Sequence, residues 1–187
     1  MWHWAFELSR VRKARKAAVT VLSPIVEKSR HRLGGISEVT WSDPYMIGFV
    51  VMLISIIARI ESGKIAGNSL SLVQCRAWED ITRMRSDMMA EELLLLSTAR
   101  NREFELGCHN AATLGSILFG SPILSEGAGV LREDRPRDLE DRPCDPQEPE
   151  LTEPFAQRDD VSVVWVQFFD AHISTHPLHD ASGQPAL

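Results

Sequence analysis

The chain has 187 residues, a net charge of −6, and is 44% hydrophobic and 25% charged. These proportions lie near the globular average and exclude a wholly disordered chain, a polytopic membrane protein and a disulfide-dense, collagen-like or heptad-only chain. Charge is graded along the sequence: residues 1–33 carry +6 and residues 126–160 carry −7. A basic head and an acidic tail can attract each other or seek opposite partners.

Residues 2–33 read as helical. Trp4, Leu8, Val11, Ala18 and Leu22 share one face at 3.6-residue spacing, with Arg10, Arg12, Lys13, Arg15 and Lys16 around the rest. Ser23-Pro24 carries the N-cap and first-turn chemistry at which a second helix can begin, and Gly34-Gly35 ends it. The apolar stretch Ala17 to Leu22 is shorter than the apolar region of a secretory signal, so none is expected.

Asp43-Pro44 opens the next helix by the same cap-plus-proline logic, and Gly63 stops it. No charged residue occurs from Pro44 to Ala58. A spanning helix needs about 20 apolar residues, so a central core helix is the expectation; the alternative is a membrane segment using residues 44–60 with the basic head on the cytoplasmic side.

Asn68 or Ser69 can cap a helix with Leu70, Val73, Ala77 and Ile81 on one face. Ser86 or Asp87 can cap another, where Glu91-Glu92 precede Leu93 to Leu96. Asn101 can cap a third with Phe104, Cys108, Ala111, Gly115 and Leu118 in register. The expectation is an all-α, bundle-like body over residues 2–122. Residues 123–160 follow as a disordered acidic linker, with prolines at 136, 143, 146, 149 and 154. Residues 161–187 form an apolar docking segment and histidine-containing tail. The β-branched start of the run Val161 to Phe169 suits a strand, whereas the spacing of Trp165, Phe168, Phe169 and His172 suits a helix; periodicity leaves both open.

Candidate chemistry is sparse. Cys75, Cys108 and Cys144 are an odd number without paired spacing, which points to reduced thiols in a cytoplasm-like compartment. His172, His176 and His179 are spaced H-x3-H-x2-H, but Pro177 interrupts a helix there and no further ligand completes a set, so no metal is assigned. Glu105 and His109 read as a surface pair four residues apart. No cofactor, catalytic residue or small-molecule ligand is inferred. The expected role is a non-enzymatic interaction or regulatory protein in the cytoplasm. It would bind a protein partner or itself, with Trp165, Phe168 and Phe169 as docking anchors. The alternative is membrane association on the cytoplasmic side, with Arg12, Lys13, Arg15 and Lys16 meeting an anionic surface. A DNA-binding regulator is a weaker alternative, because the region around residues 69–119 is not basic.

Overall fold

The computed structural model describes residues 2–63, 65–85, 89–119 and 159–175. The fold is all-α, with no strand among the described residues. Its helices are α1 (Trp2–Arg32), α2 (Glu38–Trp41), α3 (Pro44–Ser62), α4 (Gly67–Thr82), α5 (Met89–Thr98), α6 (Arg102–Phe119), α7 (Asp159–Trp165) and α8 (Ala171–Thr175). A π-helical turn, Val166–Asp170, joins α7 to α8. The acidic, proline-rich stretch and the end of the tail, with His176 and His179, lie outside the described residues.

α3 is the centre. Tyr45 to Val51 and Leu53 to Ala58 are all buried, because α1, α4 and α6 pack around it. An apolar helix with no polar face needs such neighbours. It is the one described helix long and apolar enough to cross a membrane, and most of it is buried by the rest of the chain. Its start is local chemistry: the Asp43 carboxylate accepts the Met46 N–H at 3.2 Å, and Pro44 occupies the first turn.

α1 lays Val11, Ala14, Ala18, Leu22, Ile25 and Val26 into the core. It is continuous through Pro24, so Ser23-Pro24 does not begin a new helix. Thr20 and Pro24 are both exposed, which leaves the carbonyl deprived of its N–H partner on the solvent side. The helix ends where Gly34 and Gly35 take positive φ, with the Gly35 N–H reaching Arg30 O at 2.9 Å.

α4 buries Val73, Ala77, Trp78 and Ile81. Neither Asn68 nor Ser69 caps it. The N-cap is Ala66, without a side-chain bond, and the Ser69 hydroxyl instead donates to Glu7 across the α1 boundary. Contacts Glu7–Ser69, Arg15–Asp80 and Glu27–Arg83 advance together, so α1 and α4 run in the same direction. Asn101 caps α6, accepting the Phe104 N–H at 3.0 Å. The proposed caps of α5, Ser86 and Asp87, lie outside the described residues.

The α3–α6 pair is the most extensive helix contact, and two glycines permit it. A Cβ at Gly107 would lie 2.2 Å from Tyr45 O, and one at Gly48 would lie 2.3 Å from Phe104 O. Each helix thus presses its backbone onto the other where a side chain is missing.

Candidate functional site

The segment from Asp159 to Thr175 is helical throughout, widened by the π turn, and it packs on the body. Val161, Trp165 and Phe169 recur every four residues and are buried; Trp165 is 1% exposed. Val163, which a strand would place with Val161 and Trp165, is 66% exposed. Helical spacing therefore decides which apolar residues face inward.

The aromatic packing is specific. Trp165 stacks on Phe169 at 4.6 Å between ring centroids and meets Phe49 of α3 edge-on at 5.7 Å. Phe169 also touches Trp41 of α2, which lies edge-on to Trp78 of α4. Such pairs add about 0.5–1.5 kcal/mol each beyond area burial.

Polar groups fix the register. The Trp165 indole N–H donates to Ser29 Oγ at 2.8 Å, and the Ser29 hydroxyl donates to Asp170 Oδ1 at 2.6 Å. Arg32 Nε donates to Asp170 Oδ2, while Arg32 Nη2 reaches Ser29 Oγ at 3.3 Å. Asp170 is buried, and pairing with Arg32 and Ser29 compensates the loss of its hydration.

A second cluster holds the other edge. The Tyr45 hydroxyl donates to Phe168 O at 2.9 Å and accepts from Asn110 Nδ2 at 2.9 Å. The His172 ring stacks on Tyr45 at 3.9 Å, and its Nε2 lies 3.1 Å from Asp43 Oδ1, the oxygen that caps α3. Burial pushes the Tyr45 phenol above its ordinary pKa, so it remains a donor at neutral pH.

Of the three anchors expected from sequence, Trp165 and Phe169 are buried; Phe168 is half-buried and contributes its carbonyl. Two residues of the basic head have acidic partners. Lys13 pairs with Glu61 at 2.8 Å, and Arg15 forms a two-bond pair with Asp80 at 2.7 and 2.8 Å. Arg12, Lys13 and Lys16 are exposed, and Arg15 is half-buried. Glu105 and His109 are exposed and form no ion pair among the described residues. Among the described residues no group of three or more His, Cys, Asp or Glu side chains could hold a metal ion.

Sequence reasoning missed Ser29, Arg32, Tyr45, Asn110 and Asp170 as parts of one site. The available signal was Asp170 itself, a carboxylate directly after Phe168-Phe169, which demands a partner if that run is buried.

A separate cleft of about 360 Å³ opens between α3, α4, α5 and α6. Met52, Leu93 and Phe104 form apolar walls, with the thiols of Cys75 and Cys108 and the polar pair Ser55 and Gln74 between them. Gln74 Nε2 donates to Ser55 Oγ at 2.8 Å, whose own proton goes to Val51 O at 2.6 Å. Burial pushes the Cys108 thiol up to about 11 and raises that of Cys75.

No known protein family, curated protein or solved structure matches the chain.

Proposed function

We propose that this protein is a non-enzymatic interaction or regulatory module of the cytoplasm whose C-terminal helical segment occupies its own partner-binding groove. The observation that carries this reading is the seating of Trp165 and Phe169 on α2 and α3, registered by Ser29, Arg32 and Asp170. This is helix-in-groove recognition, with anchors at i, i+4 and i+8 followed by a carboxylate. In sequence, 39 residues separate Phe119 from Asp159. Were residues 120–158 to act as a flexible tether, the segment would stand at an effective concentration on the order of millimolar, and a partner helix with the same pattern would compete against a closed state.

The test uses a labelled peptide of residues 159–175 and the full chain. Trp165→Ala/Phe169→Ala should empty the groove, and the variant should bind the peptide. The wild type should bind it on the order of 10²–10³-fold more weakly, because its own segment competes. Asp170→Ala provides a milder opening in which the aromatic anchors remain. Peptide binding to neither variant sinks the reading.

A peripheral membrane role draws support from the exposure of Arg12 and Lys16 on α1. Changing both to Gln should then weaken binding to anionic vesicles, and salt should weaken it further. The single-span form would have to dismantle the core around α3.

A further inference from the structure

We propose that the cleft between α3, α4, α5 and α6 binds a small neutral amphiphile, an aliphatic alcohol or primary amide of medium chain length. This inference is independent of the docked C-terminal segment, which does not line the cleft.

The volume, about 360 Å³, lies within the range of small-ligand pockets. The lining has the composition such a ligand needs: predominantly apolar walls and few polar groups. None of the lining residues carries a formal charge. The two thiols stay protonated at neutral pH, because burial disfavours the thiolates. A carboxylate would lose hydration there while facing Glu79 and Glu105, which act on the two thiols from outside the lining; an ammonium would lose hydration for a solvent-weakened attraction to those two, since neither lines the cleft. A hydroxyl or amide head loses far less and finds a partner in Gln74.

Gln74 is held in place. Its bond to Ser55 uses one N–H, and Ser55 is oriented in turn by Val51 O. A primary amide also has a second N–H and a carbonyl oxygen with which to meet a polar head. The aliphatic chain would lie along Met52, Leu93 and Phe104.

α5 makes the site adjustable. Its contacts with α4 and α6 are sparse beside those that join α1, α3, α4 and α6, and Leu94 lines the cleft while remaining 64% exposed. An aliphatic occupant would cover part of that leucine and remove its apolar surface from water.

The experiment titrates the full chain with 1-octanol, octanoate and octylamine. Binding is followed by calorimetry, and its location by the rate at which a maleimide alkylates Cys75 and Cys108. Octanol should bind and slow alkylation of both thiols, by on the order of tenfold when the alcohol is in roughly tenfold excess over its Kd. The carboxylate and the ammonium should protect neither thiol. Ser71→Trp places a large ring at the mouth of the cleft from an exposed position, so it should fold and lose octanol binding. The proposal is overturned by any of four results: no octanol binding, binding without thiol protection, equal protection by the charged analogues, or unchanged binding to Ser71→Trp.

Discussion

Replacing Gly107 by Ala should destabilise the protein, against the usual sign. In a helix interior Gly→Ala ordinarily gains about 1 kcal/mol. Here the new Cβ would sit 2.2 Å from Tyr45 O, 2.9 Å from Phe49 N and 3.0 Å from Tyr45 C. All three are backbone atoms of α3, so no side chain can swing away. Restoring ordinary contact requires α6 to withdraw by roughly 1 Å, a gap that forfeits a quarter to a half of the dispersion attraction across the interface. Overpacking of this kind costs typically 1–3 kcal/mol and occasionally more, and this is the most extensive helix pair in the fold. A net loss of about 2–4 kcal/mol is expected after the propensity gain. At roughly 2–4 °C per kcal/mol for a chain of this size, Tm should fall by about 5–15 °C. Thermal unfolding followed by circular dichroism measures it. Gly67→Ala at the start of α4 is the control, since nothing lies within 4 Å of its Cβ; its Tm should hold or rise. If Gly107→Ala melts at or above the wild-type temperature, the close-approach argument is wrong.

Four other outcomes follow from the same structure. Ile54→Asp places an unpaired carboxylate at a fully buried position of α3 and should cost about 4 kcal/mol or more in urea unfolding; an unchanged midpoint would refute the core assignment. Asp170→Ala leaves Ser29 and Arg32 without their shared acceptor and should cost about 2 kcal/mol, with faster amide exchange across residues 159–175 while α3 stays protected. Cys108 should keep gaining reactivity toward iodoacetamide about tenfold per pH unit beyond pH 9, where an exposed thiol levels off, because burial raises its pKa to about 11. The native state then holds a proton that the unfolded chain has released, so stability should fall as pH rises from 9 toward 11, and Cys108→Ser should make that slope shallower, Cys75 and Tyr45, whose pKa values burial also raises, supplying the remainder.

The features legible in the sequence were those with local causes. Asp43-Pro44 starts α3, Asn101 starts α6, and Gly34-Gly35 and Gly63 stop their helices, because each needs only its own neighbours in the chain. The stripe Val73, Ala77, Ile81 faces inward as its spacing requires. Ser23-Pro24 misled for a reason of degree: proline disfavours a helix interior, but burying Leu22, Ile25 and Val26 on either side outweighs one missing bond on an exposed face. The tie between Ser29 and Asp170 joins residues 141 positions apart, and no period reports such a pairing. Gly107 was legible in principle, since Gly107, Ala111 and Gly115 recur every four residues as a small-residue stripe. Its meaning depends on which backbone lies opposite. The cleft is a property of four helices together and leaves no trace in any one of them.

The docked segment also limits what can displace it. Trp165 and Phe169 together remove a large aromatic surface from water, about 1.5–3 kcal/mol for a fully buried side chain of that kind. Taking the segment away uncovers Phe49 and Trp41 and leaves Ser29 Oγ without the Trp165 indole and the Asp170 carboxylate. A competing helix with two apolar anchors but no carboxylate would leave the buried Ser29 hydroxyl without its acceptor, at a cost of about 1–3 kcal/mol, while the exposed Arg32 would turn to water. One with the carboxylate but small apolar residues would leave a cavity beside Phe49. On the proposed reading, discrimination would come from the combination: an aromatic pair four residues apart with an acid immediately after the second. If the groove takes a partner helix, as proposed, that requirement would make it selective, since a competitor must satisfy the aromatic shelf and the Arg32–Ser29 pair at once.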